Sequence, residues 1–188
     1  MIEVNAHVPT TDPAAPRKLV PVLSRDEIVA RVRDLAAQLD RDYRGLQPVL
    51  VGVLKGGFIF LADLVRAMST PVEIDFLRMA TYRGTTTSAR ARVLQGPARD
   101  AVRGRHVVLV EDIVDTGLST AAAVRHLRRK APASLRLCVL LDRPDRRRTP
   151  VRPDYLGFTV PGRFLVGYGL DVDQRYRHLP EVYALEEP

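Results

Sequence analysis

Apolar and polar positions alternate along this chain in two rhythms, one helical and one extended. Ser24-Arg25-Asp26-Glu27 has the form of a capping box, a hydroxyl for the orphan backbone donors and a Glu that reaches back. Behind it Ile28, Val32, Leu35 and Leu39 recur at three- and four-residue spacing and predict an amphipathic helix to about Asp40. Residues 48–54 form a short apolar run rich in Val, the pattern of a strand buried on both faces, and Gly56-Gly57 ends it. Residues 58–68 predict a second helix. Over 72–77, Glu73 and Asp75 alternate with Val72, Ile74 and Phe76 and predict a half-exposed strand. Periodicity then weakens over 81–105, with Gly84, four threonines, a serine and scattered arginines; such a stretch reads as a functional flap or a disordered segment. Residues 106–110 predict a buried strand, followed by Glu111-Asp112 and a helix over 120–129. A further strand is expected over 135–141, with short ones over 158–160 and 164–166. Strands alternating with helices imply an α/β fold around a parallel sheet. No repeat or linker divides the chain, so a single domain over 19–188 is expected behind a Pro-rich, flexible segment over 1–18.

Composition narrows the partners. With 188 residues and 46% of them hydrophobic, the chain is long enough to build a real core. Lys and Arg number 29 against 22 Asp and Glu, a net charge of +7, and 26 of the bases are Arg. The only lysines are Lys18, Lys55 and Lys130. A basic chain favours anionic partners: nucleic acid, an anionic membrane or phosphorylated small molecules. The charge-free stretch over 45–54 is far short of the roughly 18–20 apolar residues a membrane span needs. The early Glu3 and the lack of an apolar core in the first residues argue against a secretory signal. One cysteine, Cys138, excludes an internal disulfide framework, and its apolar neighbours make it a buried strand residue. The expectation is a soluble cytoplasmic protein with no membrane partner.

Chemistry concentrates in one stretch, Val107-Val-Leu-Val-Glu111-Asp112-Ile113-Val114-Asp115-Thr116-Gly117-Leu118-Ser119-Thr120. Two adjacent acids directly after a buried strand sit where open parallel sheets bind ligands, at the carboxyl ends of their strands. Small and hydroxylated residues then lead into a helix, where unpaired N–H groups form an anion nest. Carboxylates accept from sugar hydroxyls while the nest takes a phosphate on the same ligand. That pairing describes a ribose 5-phosphate site. The alternative, acids that cap a helix beside an ordinary Thr-Gly turn, accounts for Asp-Thr-Gly alone but not for the whole arrangement. No Gly-Lys-Ser/Thr follows a Gly-rich run, so this is not a Walker A loop.

The same stretch resembles the phosphoribosyl-pyrophosphate motif of type I phosphoribosyltransferases. Leu54-Lys55-Gly56-Gly57, Ala80-Thr81-Tyr82-Arg83-Gly84 and the run FLVGYGLDVDQRYRHLP from Phe164 to Pro180 resemble the hypoxanthine/guanine branch of that family, over nearly the whole of 19–182. The resemblance implies a type I phosphoribosyltransferase fold with a small hood built from the N- and C-terminal segments. It implies that Glu111 and Asp112 hold the ribose hydroxyls and that Asp115, beside the purine N7, transfers the proton. Thr116, Gly117 and Ser119 would bind the 5-phosphate with the intervening backbone of Ile113, Val114 and Leu118. Lys55 and Gly56 would form the pyrophosphate loop, where the family has a strained, often cis, peptide. Thr81 and Tyr82 would begin the mobile flap, and Arg177 would reach the pyrophosphate. Phe164 would stack on the purine, although core packing is the commoner fate of a strand Phe, and the Leu165 backbone would read the purine edge. The implied cofactor is Mg²⁺, with Glu111, Asp112 and Asp171 as its ligands. The implied assembly is a homodimer or homotetramer.

Two positions depart from the family pattern. Thr81 stands where Ser is usual and keeps the hydroxyl. Arg143 stands where the family ordinarily has a Lys donor to the purine O6. Its planar fork still donates and can address O6 and N7 together, but it is bulkier than an ammonium. The reaction expected by resemblance transfers 5-phosphoribosyl from its pyrophosphate to hypoxanthine or guanine, giving IMP or GMP. A xanthine-preferring enzyme is the nearest alternative. The rival of another class is a nucleic-acid-binding regulator on the same fold, which Arg125, Arg128, Arg129 and Lys130 at one helix end and Arg146-Arg147-Arg148 invite. Intact stacking, metal and flap residues argue against it, and nucleic acid is set aside as a partner.

Overall fold

The computed structural model describes residues 18–82 and 90–186. The expectation for the N-terminal segment falls, except for Lys18, outside the described residues, as do residues 83–89 of the expected flap. β1 (Leu19–Leu23) leads through the N-cap Ser24 into α1 (Arg25–Asp42). The capping box forms as expected: the Ser24 hydroxyl accepts from the Glu27 amide and the Glu27 carboxylate accepts from the Ser24 amide. β2 (Val49–Leu54) follows, then α2 (Phe58–Ala67), β3 (Glu73–Tyr82), β4 (Arg90–Gln95) and the short α3 (Arg99–Val102). β5 (His106–Val114), α4 (Leu118–Arg128), β6 (Ser134–Asp142), β7 (Tyr155–Thr159), β8 (Leu165–Val166) and β9 (Val182–Leu185) complete the chain.

The main sheet has the order β4-β3-β2-β5-β6-β7, parallel throughout except for the antiparallel edge strand β4. This bears out the parallel α/β expectation. Helices cover both faces. Leu50, Val108, Val110, Cys138 and Leu140 pack toward α1 and α2, while Val49, Val51, Val107, Leu109 and Val139 pack toward α3 and α4. Strand residues thus feed two cores by simple alternation. Cys138 is fully buried in the first, and burial pushes its thiol pKa up. Among the described residues no helix is long and apolar enough to cross a membrane.

A second, three-stranded antiparallel sheet, β1-β9-β8, joins the two ends of the described chain. It is the hood that the family resemblance implies. Neither β1 nor β9 stands out in the sequence, since Pro21 interrupts the first and the second has only four residues. Other elements also differ from expectation. β3 runs on to Tyr82 because β4 pairs beside it, Thr81 opposite Ala91 and Tyr82 opposite Arg90. The arginines of β4 hide it from a reading by apolar pattern, as edge strands often carry charge. β5 does not stop at Val110: its ladder with β6 continues through Ile113 opposite Leu141 and Val114 opposite Asp142. Tertiary pairing overrides the low strand preference of two acids.

Candidate active site

The carboxyl ends of β2, β5 and β6 open on a cleft of about 320 Å³ beneath the hood. Lys55, Gly56, Asp112, Ile113, Asp115, Arg143, Phe164, Leu165, Asp171 and Arg177 all line it, together with Leu170. Candidates scattered over more than 120 positions of sequence therefore meet around one volume. Thr116, Gly117, Leu118 and Ser119 lie just beyond that lining, at the amino end of α4. Thr81 and Tyr82 stand on β3, and their side chains lie outside what is described.

One wall of the cleft is β5 and the turn into α4. Because β5 continues through both acids, Glu111 and Asp112 point to opposite faces. Asp112 faces the cleft, so close to Gly56 that a Cβ there would lie 1.8 Å from its Oδ2. Glu111 turns the other way, is 4% exposed, and accepts a 2.6 Å hydrogen bond from the Thr120 hydroxyl on α4. Burial pushes the Glu111 pKa up to about 8 despite that hydrogen bond, and pushes Asp112 up to about 6 against the pull of backbone amides and Arg177. The structure does not bring the two acids to one surface. Beyond them Gly117 has φ +80° and caps α4 without a side chain of its own, and the Thr116 hydroxyl accepts from the Leu118 amide at 3.5 Å. The amides that follow remain donors for an anion.

The opposite wall is an irregular loop over 167–177. Tyr168, Asp173, Gln174 and Tyr176 all have positive φ, as do Gly167 and Gly169. Gly169 (φ +97°) lies against the loop after β2, where a Cβ would meet the Gly56 carbonyl oxygen at 2.1 Å, so no side chain fits. The Leu54–Lys55 peptide is cis. Lys55 Nζ donates to Gln174 Oε1 at 2.9 Å, and the Gln174 amide donates to Asp171 Oδ2. Arg177 donates to the Gly169 carbonyl and pairs with Asp171, each at 2.6 Å. Lys55, Asp171 and Arg177 thus form one charged network around the loop.

Arg143, at the end of β6, joins the walls. It is 4% exposed, donates from Nη2 to the Arg163 carbonyl and holds Nη1 3.9 Å from Asp115 Oδ2. Its buried Nε has no partner among the described residues. Phe164 is 48% exposed on the cleft rim, which favours an open stacking face over core packing; Leu165 is buried in β8.

A model of the phosphoribosyl transferase domain matches residues 22–173. The chain belongs to this family. A hypoxanthine-guanine phosphoribosyltransferase from Aquifex aeolicus is 42% identical over 173 residues, 91% of this chain and 97% of that protein. One from Streptococcus pneumoniae is 40% identical over 166 residues, 88% of this chain and 92% of that protein. A crystal structure of a hypoxanthine-guanine phosphoribosyltransferase from Bacillus anthracis, 35% identical, superposes with a TM-score of 0.84 over 91% of this chain and all of that one.

For this phosphoribosyltransferase, sequence reading passed over several residues at the site. Arg146 and Arg147 belong to a run read as a solvated or nucleic-acid-facing patch. Instead Arg146 Nε lies 3.3 Å from Asp115 Oδ1, and Arg147 pairs with Asp142 and donates to the Val151 carbonyl. The Thr116 carbonyl accepts from the Arg148 and Thr149 amides, so this run folds over the turn ahead of α4. Gln174 and Gly169 lie within the Phe164–Pro180 run that carries the family resemblance, but neither was assigned a role there. Thr120 was legible only as a helix residue, although strand alternation through Glu111 would have pointed the acid toward it.

Proposed function

We propose that this phosphoribosyltransferase transfers the ribose 5-phosphate of 5-phosphoribosyl 1-pyrophosphate to N9 of hypoxanthine or guanine. Pyrophosphate leaves, and IMP or GMP forms. The observation that carries the reading is the single cleft in which Asp115, Arg143 and Phe164 face Lys55, Asp171 and Arg177. The first three make a place for a purine and the second three a place for a polyanion. The names of the related proteins from three bacteria agree with this substrate pair.

The chemistry asked of these residues is modest. Cleavage at C1′ runs ahead of bond formation and leaves an oxocarbenium-like ribose, so the main task is to stabilise charge on the leaving group. Lys55, Gly56 and Arg177 take the departing pyrophosphate, with Thr81 and Tyr82 at the root of the covering flap. The amides and hydroxyls of 116–119, reached through Ile113 and Val114, hold the 5-phosphate. Asp112 accepts from the ribose hydroxyls. Glu111 supports that face from behind rather than from the cleft. Phe164 stacks on the base, the Leu165 backbone reads its edge, and Arg143 donates to O6 from a guanidinium already fixed on the Arg163 carbonyl. Asp115, held between Arg143 and Arg146, exchanges the proton at N7.

Mg²⁺ fits this donor set. The cleft presents hard carboxylate oxygens on Asp112 and Asp171. Among the described residues no three His, Cys, Asp or Glu side chains converge as a cage. That suits an ion which keeps waters and substrate phosphates among its ligands. Asp112 and Asp171 would hold it, Glu111 only after leaving Thr120, and when bound the ion neutralises charge developing on pyrophosphate.

The protein acts in the cytoplasm, residues 19–188 work as one unit, and the assembly is a homodimer or homotetramer. Ile74 and Phe76 of β3, 49% and 41% exposed, and Phe58 of α2, 44% exposed, leave an apolar face for a second copy, which sedimentation velocity tests. The deciding experiment is a spectrophotometric assay of guanine, hypoxanthine, xanthine and adenine, each with 5-phosphoribosyl 1-pyrophosphate and Mg²⁺. Turnover of the first two with adenine silent is expected. Preference for xanthine or adenine, or no turnover beside salt-dependent retention of nucleic acid, overturns the reading.

A further inference from the structure

The loop over 167–177 must hold Arg177 and Asp171 still, yet its backbone is among the least regular in the protein. Its first half is anchored well. Leu165 and Val166 pair with Ala184 and Tyr183 in the hood sheet, which fixes the purine platform beside Phe164. Beyond Val166 the ladder stops and three successive residues, Gly167, Tyr168 and Gly169, have φ of +93°, +48° and +97°. Tyr168 is the only one with a side chain, and a non-glycine residue in this region is strained and persists only where its surroundings hold it. Its hydroxyl donates to Asp63 Oδ2 on α2 at 2.7 Å. The other Asp63 oxygen pairs with Arg66, one turn further along the same helix.

Asp63 is therefore held from its own helix and offers its second oxygen to the loop. The chain of contacts continues to the cleft. Gly169, next to Tyr168, rests on the Gly56 carbonyl, and its own carbonyl accepts from Arg177, which in turn pairs with Asp171. Asp63 and Tyr168 do not line the cleft; both line a separate groove of about 450 Å³ between α1, α2 and the loop.

We propose that Asp63 is a positioning residue for the pyrophosphate end of the cleft, acting through the Tyr168 hydroxyl on the 167–169 turn and so on Arg177 and Asp171. The purine end, tied to β9, is independent of it. This inference rests on the functional reading above, and the test separates the two. In Tyr168→Phe the KM for 5-phosphoribosyl 1-pyrophosphate and the Kd of magnesium pyrophosphate, measured by calorimetry, both rise about tenfold, the worth of one well-placed hydrogen bond. The KM for hypoxanthine stays within about twofold. Asp63→Ala behaves like Tyr168→Phe, whereas Asp63→Asn keeps an acceptor for the hydroxyl, loses only the charge toward Arg66, and restores near wild-type constants. The inference is overturned if Tyr168→Phe binds magnesium pyrophosphate as the wild type does. It is equally overturned if both KM values rise together in step with a fall in Tm, the signature of general loosening. A wild-type protein that neither turns over nor binds magnesium pyrophosphate removes the functional reading, and this inference with it.

Discussion

Asp115 stands just past a nine-residue strand whose ladder runs on to Val114, whereas Arg177 hangs from a loop where Tyr168, Asp173, Gln174 and Tyr176 all have positive φ. The two walls of one cleft are thus held by different physics. On the β5–α4 side, backbone hydrogen bonds and two hydrophobic cores place each side chain, and alternation alone decides that Asp112 faces the cleft and Glu111 faces Thr120. On the 167–177 side, backbone hydrogen bonds are irregular turns rather than a ladder, such as the Gly169 amide to the Arg177 carbonyl, and side-chain contacts and close backbone approaches add to them: Gly169 on Gly56, Arg177 on Asp171, Lys55 on Gln174. A regular wall suits groups whose angle to the base and ribose must be fixed for proton transfer. A loop suits groups that must grip a leaving polyanion and then release it.

The largest effect is expected on the regular wall. Asp115→Asn keeps the shape of the side chain and its place between Arg143 and Arg146 but removes the proton acceptor. Turnover falls by about 10²–10⁴, the range for general acid–base groups, while both KM values stay close to wild type. Steady-state kinetics of pyrophosphate release measure this. A kcat within a few-fold of wild type would take Asp115 out of the chemistry.

The loop answers differently. Gly169→Ala forces a side chain at φ +97° and a Cβ against the Gly56 carbonyl. Stability drops by about 1–3 kcal/mol in urea denaturation. The KM for 5-phosphoribosyl 1-pyrophosphate rises while that for hypoxanthine is spared. If the two KM values move equally, the walls are mechanically one and the contrast between them is lost.

The same contrast explains what the sequence made readable. A buried strand, acids, Asp-Thr-Gly and a helix form a contiguous pattern with its own physical logic, so the β5–α4 wall follows from residues 107–120 alone. Even there the strand runs four residues past Val110, because β6 continues beside it, and partner strands are invisible to local periodicity. The loop has no period at all. Its candidates Asp171 and Arg177, like Phe164 ahead of β8, come from family resemblance, and contacts such as Lys55 with Gln174, 119 positions apart, have no local trace. β4 and the hood strands stay hidden for a related reason, being short or charged edges whose pairing is settled by distant neighbours.

A third test probes the hidden face of the regular wall. In the ligand-free protein burial lifts the Glu111 pKa to about 8 from an ordinary 4.5. Between these values the folded state keeps a proton that the unfolded state has released. Stability from this group is therefore fully present below pH 4.5 and is lost as pH rises toward about 8. Glu111→Gln keeps an acceptor for Thr120 and removes the titration. The variant gains on the wild type by about 2–4 kcal/mol from about pH 5 to about pH 8 in urea denaturation. Asp112, lifted to about 6, leaves a smaller residual slope in both proteins below that pH. Parallel profiles would mean that Glu111 is ionised and solvated, and that β5 does not sort its two acids onto opposite faces.

The smallest expected effect falls on the residue that joins the walls. Arg143 divides its guanidinium among the Arg163 carbonyl, the neighbourhood of Asp115, and a buried Nε with no protein partner. A lysine has one compact ammonium and cannot keep the carbonyl anchor while donating to a purine O6. Arg143→Lys should therefore leave 6-oxo over 6-amino selection in place, since a donor still faces O6. It should move the ratio of kcat/KM for guanine over hypoxanthine by about threefold, because the ammonium sits less firmly against the base edge. Unchanged kcat/KM for both bases would show that Arg at this position is a neutral consequence of a chain with 26 Arg and three Lys. A measurable loss of kcat alone would instead place the main role of Arg143 on Asp115, and so on the regular wall.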